Sequence, residues 1–126
     1  MTSHYLRCTV NGSFEKVFQT LGAEFGDIYA RKFGKAGESL AGVILGEHYF
    51  FRVKNDAALL ITLEEVTSTE TRLEIIACAA GYGLMGISYG AHDSFVHTVE
   101  DFLAKSGFTV QVEQETSYFD RNTPLG

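Results

Sequence analysis

Two short runs on either side of a polar turn constrain this chain more than any other feature. Leu59, Ile61 and Leu63 take alternate positions before Thr67-Ser68-Thr69-Glu70, and Leu73, Ile75, Ala77 and Ala79 take alternate positions after it. Side chains on a strand alternate between faces, so both runs carry one apolar face while Thr62, Glu64, Arg72 and Glu74 point the other way. An antiparallel hairpin with one buried face satisfies both runs. The small Ala77 and Ala79 leave room for a helix to come close to that face.

Two helices can supply the cover. Ser13 can cap a helix near 14–25, in which Phe14, Val17, Phe18, Leu21 and Phe25 recur at helical spacing and Gly22 and Gly26 predict a frayed or early end. Asp93 or Ser94 can cap a second helix near 93–105, with the stripe Phe95, Val96, Val99, Phe102 and Leu103, and Lys105 and Gly107 suit its end.

The remaining segments read as strands. From His4 to Val10, Leu6, Cys8 and Val10 alternate with Tyr5, Arg7 and Thr9. Between Asp27 and Gly81 short strands are broken at Gly34-Lys35-Ala36-Gly37, Gly46-Glu47, Asn55-Asp56 and the Thr67 turn, the spacing of an antiparallel meander. Phe108, Val110 and Val112 mark a last strand, and Thr116 to Gly126 read as a tail, mobile or held only by a partner, with the only proline, Pro124. With no repeat or linker visible, residues 1–126 read as a single α+β domain: an antiparallel sheet with two helices packed on one face, in the order strand, helix, four strands, helix, strand.

Over residues 4 to 104 the chain resembles small bacterial domains of unknown function that open with a strand, an asparagine-glycine turn and an amphipathic helix. The likeness rests on Cys8-Thr9-Val10-Asn11-Gly12-Ser13-Phe14-Glu15-Lys16-Val17 and on Gly86-Ile87-Ser88-Tyr89-Gly90-Ala91-His92-Asp93-Ser94-Phe95. In element order the chain is similar to TATA-binding-protein-like and helix-grip folds. The first resemblance implies no activity and the second covers unrelated ones, so neither assigns a catalytic residue.

Charge and composition narrow the partners. Ten basic against sixteen acidic side chains give a net charge of −6, which repels a phosphate backbone and argues against nucleic acid. The opening residues lack an apolar signal core and the longest apolar runs are too short to span a bilayer, so a cytoplasmic protein with no membrane partner is expected. Cys8 and Cys78 sit in apolar stretches and read as reduced core thiols.

The chemistry-bearing patterns are weak. Gly81-Tyr82-Gly83-Leu84-Met85-Gly86 has dinucleotide-fingerprint spacing, but Ile87 to Gly90 separate it from the next helix and no strand-helix-strand unit surrounds it. An anion site at that helix start is opposed by Asp93, whose carboxylate would take the free amides. Asp93, His97 and Asp101 share one helical face, yet His92 and His97 are five residues apart and no metal-ligand set completes them, so no metal and no cofactor are expected. Ser94 with His97 lacks the strained elbow and oxyanion hole of a nucleophilic triad. Glu64, Glu65, Glu70 and Glu74 read as a charged solvent face.

The outer sheet face is the oddity, because Val43, Leu45, Phe50, Leu60, Ile76 and Cys78 accompany its charges and a solvated face should be more polar. The expectation is a non-enzymatic domain that forms a homodimer through Phe50, Leu60 and Ile76 and binds a small apolar ligand or a protein partner. The alternative is a small enzyme built on Tyr82, Tyr89, His92, Asp93 and His97, of which Tyr82, Tyr89, His92 and His97 would line the ligand site.

Overall fold

The computed structural model describes residues 2–35, 37–50, 55–79, 91–117 and 120–125, the side chains of 2, 48–50, 55–56, 79 and 91–95 excepted. Strand β1 (Thr2–Asn11) leads into helix α1 (Phe14–Phe25). Strands β2 (Tyr29–Phe33), β3 (Ala41–Phe50), β4 (Asn55–Thr67) and β5 (Glu70–Ala79) follow, then helix α2 (Ala91–Lys105) and strand β6 (Thr109–Ser117). The six strands form one antiparallel open sheet in the order β2-β3-β4-β5-β1-β6.

The central hairpin has the register that its alternation demands. Leu59 pairs with Ala77, Ile61 with Ile75 and Leu63 with Leu73, and all six are buried. With Leu6, Cys8 and Val10 of β1 and Ile44 of β3 they make one apolar surface. Phe14, Val17, Phe18, Leu21 and Phe25 of α1 and Val96, Val99 and Leu103 of α2 join the same cluster. Both helices therefore share one face of the sheet, α1 over β3, β4 and β5 and α2 chiefly over β5, β1 and β4.

Local details correct five expectations. Helix α1 runs past Gly22 to Phe25, where the Gly26 amide donates to the Gly22 carbonyl; its start is as read, with the Lys16 amide donating to Ser13 Oγ at 3.4 Å. Helix α2 begins at Ala91, so Asp93 and Ser94 lie in its first turn and not at its cap. Strand β3 continues through Gly46-Glu47, and β4 already includes Asn55-Asp56. Finally, β6 carries on through polar residues to Ser117, two positions into the expected tail.

Gly46 stays in a strand because of what lies above it. A Cβ there would run into the Phe25 carbonyl oxygen at the end of α1. The Asp27 side chain accepts from the Glu47 amide at 3.1 Å and the Ile28 amide donates to the Leu45 carbonyl at 3.1 Å, which fastens the helix end to β3. The glycine permits a close approach and does not interrupt the ladder.

Candidate functional site

On β1, His4 follows the phase of Leu6, Cys8 and Val10 and is carried to the helix side, where it is buried. β6 reaches the same place by an irregularity. Val110 and Val112 pair with Val10 and Cys8, but the register then shifts, with Arg7 opposite Gln114 and Leu6 opposite Glu115. Glu113 is the extra residue of a β-bulge, and the shift brings Glu115 round to the helix side of the sheet.

Helix α2 adds the third group. The Nε2 atoms of His4 and His97 lie 2.6 Å and 3.0 Å from the same oxygen, Glu115 Oε2. His97 Nδ1 lies 3.1 Å from Glu100 Oε1, one turn along the helix. An ionised carboxylate only accepts, so both rings present Nε2–H to Glu115 and His97 presents Nδ1–H to Glu100. Burial alone would lower the His97 pKa; the Glu100 hydrogen bond and the charge and hydrogen bond of Glu115 outweigh it and raise it. Burial would likewise raise Glu115, but the hydrogen bond from His4 and the charge and hydrogen bond of His97 bring it down. His4 is sealed in, whereas His97 and Glu115 reach solvent.

On the opposite face, direct cross-strand partners form rows. Tyr29, Leu45, Leu60, Ile76, Tyr5 and Thr116 line up across all six strands. Beside this row lie Ala58 and Cys78, and on its other side Arg31, Val43, Thr62, Glu74, Arg7 and Gln114. Tyr5 exposes none of its surface. Its hydroxyl donates to Glu74 Oε2 at 2.7 Å while Thr62 donates to the other Glu74 oxygen at 2.9 Å. Burial, then the Glu74 hydrogen bond and charge, push the Tyr5 hydroxyl up to about 12 against the opposing influence of Arg7. Glu113, on the open face, takes Arg7 at 3.3 Å, Arg72 at 3.6 Å and the Thr9 hydroxyl at 2.9 Å. One end of the open face is apolar and the other is an ion-pair network.

No protein-family model and no curated protein matches this chain. It is similar to a solved conserved protein from Geobacillus kaustophilus, at 13% identity over 86% of this chain and 99% of that one; the TM-score of 0.33 is too low to carry an argument. These findings accord with the resemblance to small domains of unknown function, and no activity is transferred from a relative.

Of the residues singled out in the sequence, His97, Leu60 and Ile76 are placed. His97 meets Glu100 and Glu115, and Asp101 on the same helix is exposed. Leu60 and Ile76 are half-buried direct partners on the open face. Tyr82, Tyr89 and the Gly81 to Gly86 pattern lie outside the described residues, as do the side chains of Phe50, His92 and Asp93. A groove of about 420 Å³ between α1 and β2 is lined by Glu15, Phe18, Gln19, Gly22, Ala23 and Lys32, with the Lys32–Glu15 ion pair at 2.9 Å on its wall. Sequence reasoning missed His4 and Glu115. The phase of His4 with three core residues was a usable signal, whereas Glu115 gave none because the bulge alone decides its side.

Among the described residues no helix is long and apolar enough to cross a membrane.

Proposed function

We propose that this chain is a non-enzymatic binding module that pairs with a second copy of itself through the open face of its sheet. The observation that supports this is the row Tyr29, Leu45, Leu60 and Ile76, an apolar line across four neighbouring strands on the face opposite the helices. Leu45, Leu60 and Ile76 are already half-buried, so each contributes only part of the about 1.5–3 kcal/mol of a fully exposed side chain, before association costs. A two-fold pair buries one patch against itself and needs no further partner.

In this reading residues 1–126 act as one domain, cytoplasmic and bacterial, and the net charge of −6 keeps nucleic acid away. The element order also supports a place beside the TATA-binding-protein-like or helix-grip folds, which brings no activity with it. The same row suits a small apolar ligand or another protein, and native mass spectrometry would reveal a retained molecule. The second reading, an enzyme built on Tyr82, Tyr89, His92, Asp93 and His97, draws support from the contact of His97 with Glu100 and Glu115.

Light scattering of the purified chain at micromolar concentration tests the pairing. A dimer that dissociates in Leu60→Asp and Ile76→Asp, with both variants still folded by circular dichroism, is expected. A strict monomer in the unmodified chain would sink the proposal.

A further inference from the structure

The cluster on the helix side has a chemistry independent of self-association. We propose that His4 Nε2, His97 Nε2 and the Glu115 carboxylate form a binding site for one divalent transition-metal ion of the zinc type. The three donor atoms lie within 4.8 Å of one another and come from three separate elements, β1, α2 and β6. Zinc bonds to imidazole nitrogen and carboxylate oxygen at about 2.0–2.2 Å, which places neighbouring donors of a tetrahedron about 3.3 Å apart. The present separations from Glu115 Oε2, 2.6 Å and 3.0 Å, need to open by well under 1 Å to admit the ion. Two protons now occupy that space, one on each Nε2. The ion replaces both: His97 gives one proton to solvent and keeps Nδ1–H on Glu100, while His4 binds as its Nδ1–H tautomer, so neither ring becomes an imidazolate.

Two further observations orient the site for metal. His97 Nδ1 already faces Glu100 Oε1 at 3.1 Å, the carboxylate–histidine arrangement that fixes the ring and leaves Nε2 as the ligand atom. His4 is held in the interior with Nε2 directed at the shared oxygen, so one ligand is rigid, while His97 and Glu115 reach solvent and leave an entry path. Two imidazoles and one carboxylate favour zinc, cobalt, nickel or copper over magnesium or calcium. Three protein ligands leave a fourth position for water or a small anion, as in open zinc sites. The buried Cys8 thiol is not among the donor atoms that lie within 4.8 Å of one another.

The test is calorimetry with zinc and absorption spectroscopy with cobalt(II) on the full, tag-free, chelator-treated chain at neutral pH. The expected result is one ion per chain with micromolar or tighter affinity, visible cobalt bands of a four- or five-coordinate site, and contact-shifted ring N–H protons from two histidines. His97→Gln and Glu115→Gln, both at solvent-reaching positions that leave the core intact, should each weaken binding at least tenfold. Glu100→Gln, a positioning change, should weaken it roughly tenfold while the cobalt bands persist at saturation. Asp101→Asn should leave the affinity unchanged. Absence of micromolar binding would overturn the proposal, as would full affinity in both His97→Gln and Glu115→Gln, or loss of binding in His92→Gln with those two unaffected.

Discussion

The two faces of the sheet are made by the same strands, yet they are different materials. On the helix side, Leu59, Ile61, Leu63, Leu73 and Ile75 are fully buried and interchangeable in kind, and any of them reports only that the face is apolar. On the open side each row has its own character, from Leu45, Leu60 and Ile76 through Thr62 and Glu74 to Glu64 and Arg72. The first face is specified by alternation and serves to hold the fold. The second carries differences between adjacent positions, and differences are what a partner can recognise.

Neighbouring residues on one strand give the sharpest way to break this comparison. Ile61→Ala opens a cavity beneath the helices and should cost about 2–5 kcal/mol, whereas Leu60→Ala, one position away on the open face, should cost below about 1.5 kcal/mol in dilute protein. Denaturant unfolding of both variants measures it. Equal losses would mean that the two faces are equally essential to the fold.

Tyr5 sharpens the comparison at the point where the open face is most enclosed. Tyr5→Phe removes the hydroxyl bonded to Glu74 and should cost about 0.5–1.5 kcal/mol. Because the folded hydroxyl is raised from 10.0 to about 12, its contribution is complete below pH 10 and fades as the pH rises towards 12. Ultraviolet titration should show one tyrosine ionising near pH 12 that is missing in Tyr5→Phe. Its ionisation near pH 10 would show that the open face is wetter at Tyr5 than its burial indicates.

The two cysteines give the smallest effect and need no mutation. Burial raises both thiols, but Cys8 lies in the core and Cys78 is half-buried on the open face. A thiol reagent under mildly alkaline native conditions should therefore modify Cys78 first, with Cys8 protected until the chain unfolds. Simultaneous labelling would contradict the assignment of faces.

What could be read from the sequence follows the same division. The hairpin register was legible because a slip by one residue would expose Ile61 and Ile75, and the start of α1 was legible because Ser13 precedes an apolar stripe. β6 was legible only up to Val112. Beyond it the bulge at Glu113 breaks the period of two, and a strand of glutamate, glutamine, threonine and serine has the composition of a tail. The cluster of His4, His97 and Glu115 joins residues 111 and 18 positions apart and depends on β6 returning beside β1, which no local pattern encodes. A polar strand end and a long-range closure together hid the site.

Alternation leaves one error unguarded, and Gly46 answers it. A slip of β3 by two residues keeps every apolar side chain on its proper face, so burial alone does not forbid it. It would, however, bring Ile44 or His48 beneath the Phe25 carbonyl, where even a methyl group has no space. The missing side chain acts as a notch that accepts the end of α1 at a single setting, so the helix indexes the strand: odd slips are rejected by water and even ones by a backbone oxygen.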